Sequence, residues 1–270
     1  MLITGSKGML AKDIIDELKK NNFQLYCMDR EELDITKKEE FEKLNDIKLD
    51  LIINCAAYTN VDAAEENKEL CYNINFIGVK NIADYCKLKN IILIHISTDY
   101  VFDGNKKSYD EEDVKKPLNY YGVTKALAED YLIYNLDKFY IARTSWLFGK
   151  NGINFIEKMK KLMNEKKEIK VINDQFGRPT YTKDLSKTLV LLITQNKPFG
   201  VYNITNSGFC SWFEFASEIK SIINSECKIV ECGSEEFLTK AIRPKNSILN
   251  NNKIEKLRNW KEAVKEYLSE

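Results

Sequence analysis

Residues 1–11 read MLITGSKGMLA. Leu2, Ile3 and Thr4 make a short strand. Gly5, Gly8 and Ala11 follow in the order GxxGxxA, and from Met9 the pattern is that of an amphipathic helix to Lys20. A strand that turns through glycines into a helix is the opening of a dinucleotide-binding unit. Glycine permits the tight turn and a close backbone approach. The helix N-terminus then offers free N–H groups and partial positive charge to a pyrophosphate. The motif alone also describes a plain strand-to-helix turn, so the rest of the chain has to supply the context.

Strands at Phe23–Met28, Asp50–Asn54, Ile91–Ser97 and Phe139–Arg143 alternate with helices at Lys37–Leu44, Glu65–Leu88 (one helix or two) and Tyr120–Tyr134. This alternation predicts an α/β fold of Rossmann type, a doubly wound parallel sheet with helices on both faces. Continuous apolar strands such as IILIHIS fit burial on both faces. Beyond Arg143 the pattern loosens. Helices are expected at Asn154–Glu165, Thr182–Thr194 and Trp212–Ile223, with strands at Ile169–Ile172 and Val201–Ile204. The stretch Glu235–Trp260 is charged and irregular, with helices near Lys253 and Val264. We expect residues 1–145, with about 169–204, to form the dinucleotide-binding domain. A smaller α/β lobe should come from about 146–168 and 205–270.

The chain has 270 residues, 44% hydrophobic and 30% charged, a balance that suits a folded globular protein rather than a disordered one. Forty-one basic residues meet forty-one acidic ones, so no general attraction to nucleic acid or anionic membrane is expected and an anionic ligand must be held locally. No apolar run approaches a membrane span and no signal peptide is visible, which predicts a cytoplasmic protein without a membrane partner. The seven cysteines show no CxxC pair and read as reduced core thiols. The one histidine, His95, lies mid-strand and reads as a buried structural residue; no metal site is expected.

The second strand ends at Asp29. A carboxylate there suits ribose hydroxyls and favours NAD, whereas the adjacent Arg30 suits a 2′-phosphate and favours NADP. We therefore expect NADPH or NADH to serve. Asp34 and Ile35 are placed to hold the adenine edge, or else to begin the following helix.

A reductase needs a proton donor. Three tyrosines have a lysine four residues on: Tyr85/Lys89, Tyr121/Lys125 and Tyr134/Lys138. The spacing puts both side chains on one helix face, and a nearby lysine cation should lower the phenol's pKa towards neutrality. Context selects Tyr121 and Lys125. Lys89 should face solvent and Lys138 should lie past its helix. Tyr121 instead follows a strand ending in STDYVFDG, where the carboxyl edge of a parallel sheet forms sites. There Thr98 has a hydroxyl able to bond a substrate carbonyl; it also suits a strand-ending turn.

The blocks STDYVFDG, PLNYYGVTKALAE, RTSWLFG and VINDQFGRPT, in that order, resemble the dTDP-4-dehydrorhamnose reductase family, an extended short-chain dehydrogenase/reductase family, over Leu2 to about Asn250. The resemblance implies a Rossmann domain with a small substrate domain, and reduction of the 4-keto group of dTDP-4-dehydro-L-rhamnose to dTDP-L-rhamnose in nucleotide-sugar biosynthesis. It implies that Gly8, Met9 and Leu10, beside Gly5, contact the cofactor pyrophosphate. Asp29, Asp34 and Ile35 would meet the adenosine half, and Ala57, Tyr58 and Thr59 the nicotinamide half. Thr98, Tyr121 and Lys125 would be catalytic, with Tyr121 and Lys125 also on the cofactor. Tyr100 and Trp146 would face the sugar. Asn154, Phe155, Gln175, Arg178 and Arg243 would contact the thymidine diphosphate. The partner is thus a dTDP-linked 4-keto-6-deoxysugar. Some members of the family join through acidic residues around magnesium; Asp13 matches one such position, but Lys183 occupies another, so a monomer or weak homodimer without metal is expected.

Two other readings share these motifs. One is another nucleotide-sugar reductase, epimerase or dehydratase, for which Asp99 beside Thr98 would be an extra acid. The other is a non-catalytic NADP-binding subunit resembling the regulatory subunit of methionine adenosyltransferase.

Overall fold

The computed structural model describes residues 1–270. Strand β1 (Leu2–Thr4) leads through the glycine turn into α1 (Met9–Lys20), then β2 (Tyr26–Met28) and β3 (Leu51–Asn54). Next come α2 (Val61–Glu66), α3 (Lys68–Tyr72), α4 (Gly78–Lys89), β4 (Ile92–Thr98), α5 (Tyr120–Asn135) and β5 (Phe139–Thr144). The remainder holds β6 (Leu147–Phe148), α6 (Phe155–Glu165), β7 (Glu168–Ile172), β8 (Phe176–Gly177), β9 (Thr180–Tyr181) and α7 (Thr182–Thr194). It ends with β10 (Gly200–Asn203), β11 (Cys210–Ser211), α8 (Trp212–Ile223), β12 (Lys228–Cys232) and α9 (Trp260–Ser269).

Six strands form one parallel sheet in the order β2-β1-β3-β4-β5-β10. The chain runs outward from β1 to β2 and then crosses back to β3. The strand order therefore reverses beside β1, and a crevice opens at the carboxyl ends of β1 and β3. One face is covered by Val79, Ile82, Ala128 and Leu132 of α4 and α5, the other by Ile14, Leu18, Leu185 and Leu189 of α1 and α7. Burial on both faces explains the unbroken apolar runs of β3 and β4.

A second core joins Phe148, Met159, Phe215, Ile219, Trp260 and Val264. β7 pairs in parallel with β12, Ile169 against Ile229, and not with the large sheet. Of the stretch 169–204 expected with the sheet, only α7 and β10 lie there, because β10 takes the edge beside β5. Conversely, Leu249 packs with Val101, Phe102 and Tyr109, and Ile254 and Leu257 pack against the sheet's α1 face. The chain thus returns to the larger unit before α9.

Several elements differ from expectation. Residues Lys38–Leu44 form a 3-10 helix. The span 65–88 is three helices, with a π-helical turn at Asn73–Ile77 between α3 and α4. No helix forms near Lys253. There Asn250, Asn251 and Asn252 send their side chains to Asp110 and to the Thr205 carbonyl, local bonds that compete with helix formation. β12 had no counterpart in the sequence reading, since Lys228 and Glu231 interrupt its apolar character.

Candidate active site

Gly5 takes φ 62°, and a Cβ there would lie 2.7 Å from the Ala56 nitrogen. Glycine is therefore required, both for the left-handed turn and for the approach of β1 to the end of β3. The Gly5 carbonyl accepts the Gly8 N–H at 2.9 Å, and Gly8 caps α1 without any side chain. The first N–H groups of α1 thus face a cavity of about 530 Å³. Gly8, Met9, Leu10, Ala57 and Thr59 are among the residues that line it.

Thr98, Tyr121 and Lys125 line the same cavity, and so does Trp146. Three separate segments reach this point for an identifiable steric reason. Gly122 has no side chain, and a Cβ there would sit 2.2 Å from the Tyr100 carbonyl oxygen. The first turn of α5 can therefore rest directly on the end of β4. The Thr98 hydroxyl donates to Asp99 Oδ1 at 3.1 Å and lines the cavity together with the Tyr121 phenol. Thr98 also accepts the Tyr100 N–H at 3.2 Å, so the strand-ending turn and the site role coexist. Tyr85 is instead buried against the Leu44 carbonyl and Tyr134 is exposed, so neither other tyrosine–lysine pair forms a site.

The expected lowering of the Tyr121 pKa is not present. Burial pushes the phenol up. Lys125, itself buried and brought down to about 8 by desolvation, bonds the Ile96 carbonyl at 2.6 Å and lies 3.1 Å from His95 Nε2. Asp99 is buried and raised to about 7, chiefly by desolvation, and its Oδ2 has no partner.

Just beyond β2, Asp29 pairs with Lys7, which holds its carboxyl below the usual range. Arg30 is exposed and only 3.7 Å from Asp34. Asp34 Oδ1 accepts both the Thr36 N–H and hydroxyl, which is the turn-starting alternative. The Ile35 side chain is in the core and its carbonyl accepts from Asn81, which leaves its backbone N–H as the group able to meet an adenine edge. Tyr58 is held by its backbone, its N–H donating to Asn75 Oδ1 at 2.8 Å and its carbonyl accepting from Asn75 Nδ2 at 3.1 Å. Asn75 escaped the sequence reading. It sits in the π-helical turn, an irregularity that marks functional segments but has no composition signal.

Trp146 has φ 47° and stacks on Trp212, ring centroids 3.5 Å apart. The pair separates the first cavity from a second of about 650 Å³ lined by Phe155, Gln175, Trp212 and Arg243. Arg243 pairs with Asp62 at 2.6 Å and meets the Tyr100 hydroxyl, while Tyr100 packs edge-on to Tyr121. Asn154 is corrected. It caps α6 through Ile156 and Glu157 and donates to Gly149 and Tyr267, so its bonding capacity is spent inside the lobe. Arg143 and Arg258 are likewise committed, to Glu129 and to Asp184 with Glu266. Arg178 has a buried Nε with no partner. A guanidinium left so is a candidate anion ligand.

A parallel switch-point sheet carrying a threonine, tyrosine and lysine over one cavity defines an oxidoreductase of the extended short-chain dehydrogenase class. The chain belongs to the dTDP-4-dehydrorhamnose reductase family: the family model described as the RmlD substrate binding domain matches residues 1–270. It is 34% identical to the dTDP-4-dehydrorhamnose reductase of Aggregatibacter actinomycetemcomitans, over 98% of this chain and 97% of that protein. It is 36% identical to the spore coat polysaccharide biosynthesis protein SpsK of Bacillus subtilis, over 100% and 97%. The crystal structure of dTDP-4-dehydrorhamnose reductase from Bacillus anthracis in complex with NADP superimposes with a TM-score of 0.96 at 39% identity, covering 99% of this chain and 98% of that one.

Proposed function

We propose that this protein uses NADPH or NADH to reduce the 4-keto group of dTDP-4-dehydro-L-rhamnose to dTDP-L-rhamnose, and that it does so in the cytoplasm. No helix is long and apolar enough to cross a membrane. The observation that carries the reading is the convergence of Thr98, Tyr121 and Lys125 on one cavity that the N-terminus of α1 also lines. The side-chain-free cradle of Gly5 and Gly8, with unpaired helix N–H groups above it, fits a dinucleotide pyrophosphate.

The bound nicotinamide supplies the hydride that goes to the sugar C4. Tyr121 donates its phenolic proton to the oxygen formed there. The Thr98 hydroxyl, which lines the same cavity as that phenol, orients the carbonyl. Lys125, when protonated, favours the phenolate that remains and binds the ribose. Trp146 packs against the sugar, its left-handed backbone and the stack on Trp212 fixing the ring. Arg178 takes the diphosphate, and Arg243, Phe155 and Gln175, which line the second cavity, also contact the thymidine diphosphate. The residues of the second core form the substrate-binding lobe. Asp29 and Arg30 stay compatible with either cofactor, because Asp29 is neutralised by Lys7 and Arg30 is open to solvent. A binding subunit without turnover would have no use for the Thr98–Tyr121–Lys125 set.

The test mixes the protein with dTDP-4-keto-6-deoxyglucose, a 3,5-epimerase and NADPH and follows nicotinamide absorbance. Steady loss that requires the epimerase supports the reading. No loss with any keto-sugar overturns it.

A further inference from the structure

His95 is the only histidine in the chain. It is fully buried, yet it is not an inert core residue. Thr4, Asn54 and His95 are register partners on β1, β3 and β4, so their side chains share one face of the sheet. Thr4 Oγ1 donates to Asn54 Oδ1 at 2.6 Å, and the Ala56 N–H donates to the same oxygen at 3.2 Å. A backbone N–H cannot turn round, so the amide orientation is fixed and Asn54 Nδ2 faces His95 Nδ1 at 3.1 Å as a donor. Nδ1 is then an acceptor, and the single proton of a neutral imidazole is on Nε2. Nε2 lies 3.1 Å from Lys125 Nζ. A row of buried polar groups thus runs from the residue before the glycine turn to the catalytic lysine.

We propose that His95, locked by Asn54 as its Nε2–H tautomer, positions Lys125 and favours the unprotonated amine by donating to its lone pair. The bond to His95 and the bond to the Ile96 carbonyl tether Nζ beneath the cavity that Tyr121 shares. A protonated Nζ would face the imidazole N–H donor to donor. The other ionisable groups around Lys125 are Glu129 one turn along α5, Cys71 of α3 and Cys55 after β3, with Tyr121 and Asp99 in the same cavity. Glu129 is paired with Arg143 and both thiols are raised by burial. None of these replaces His95 as a donor to Nζ.

With one histidine, protein grown on 15N-imidazole histidine gives a spectrum of this residue alone. The expected result is a pyrrole-type Nε2 and a pyridine-type Nδ1 at neutral pH, without titration down to roughly pH 5. The Nδ1–H tautomer overturns the proposal, and this readout needs neither substrate nor turnover. In the second arm, His95→Gln offers an oxygen that accepts from the ammonium. It should keep most of the turnover and move the alkaline limb of kcat upward. His95→Leu should lower kcat about tenfold, a fraction of what acid catalysis supplies, with KM for the sugar nearly unchanged. A limb that stays put or moves down in His95→Gln overturns the proposal. So does a His95→Leu variant that loses only melting temperature.

Discussion

Replacing Gly122 by alanine tests whether the position of α5 makes the site. The added Cβ would sit 2.2 Å from the Tyr100 carbonyl oxygen and 3.0 Å from Pro117 Cβ. A relaxed carbon–oxygen contact is about 3.3 Å, so helix and strand end must part by about 1 Å. Both sides of that gap carry catalytic groups. Tyr121 is the adjoining residue on the helix, and the Tyr100 N–H is bonded to Thr98 Oγ1 on the other side. Overpacking of this kind costs ~1–3 kcal/mol of stability. That is several degrees of melting temperature for a chain of this size. A misplacement of ~1 Å between reacting groups can cost about 10²-fold in rate. The loss should therefore fall on kcat. NADPH binding, which the proposed function assigns to Gly8 and the start of α1, should hardly change. Steady-state kinetics, cofactor titration and thermal melting on one preparation separate the three quantities. A variant that melts several degrees lower yet turns over like the wild type would refute the claim that this contact sets the Thr98–Tyr121 geometry.

Tyr121→Phe should cut turnover by about 10²-fold or more with cofactor affinity nearly intact, checked by the same assays. Arg178→Ala should raise KM for the sugar nucleotide by about tenfold or more, the worth of a charge-assisted bond, and leave NADPH binding alone. NADPH and NADH should bind within about a hundredfold of each other, ~2.7 kcal/mol, by fluorescence titration. Asp99, raised to about 7 from 3.8, is protonated in the folded state and ionised in the unfolded state between those values. Its contribution is therefore lost as pH rises through that window. Asp99→Asn should flatten the decline in melting temperature between about pH 4 and 7 and melt higher than wild type at pH 8.

The parts of this fold that were legible in the sequence are those whose cause is local. Gly5 announces a turn because its left-handed backbone, φ 62°, permits little else there. β3 and β4 read as buried strands because both faces are apolar. Tyr121 and Lys125 emerge because helix spacing puts them on one face. What could not be read depends on partners far along the chain. β7 looks like any strand; only β12, some sixty residues on, draws it away from the large sheet. Asn154 and Arg178 are both polar residues in the same lobe, and only the structure shows that one is committed and the other is not. Gly122 is invisible as a catalytic determinant until Tyr100 is placed against it.

The tyrosine–lysine pair shows the same limit at the level of chemistry. Spacing brings the two residues onto one face, and the expected consequence is a phenol made acidic by a neighbouring cation. In the folded chain burial raises the phenol instead, and the lysine is turned toward Ile96 and His95. Desolvation acts on both groups in the direction of their neutral forms. The resting site is therefore a protonated phenol beside an amine close to its own titration point, which is the state a proton donor needs before it acts. The cation that favours the phenolate is present below about pH 8, where Lys125 is mostly protonated. Activity should fall on the alkaline side as Lys125 loses its proton near pH 8, well below the ionisation of an ordinary phenol. A kcat profile flat to pH 10 would contradict this account.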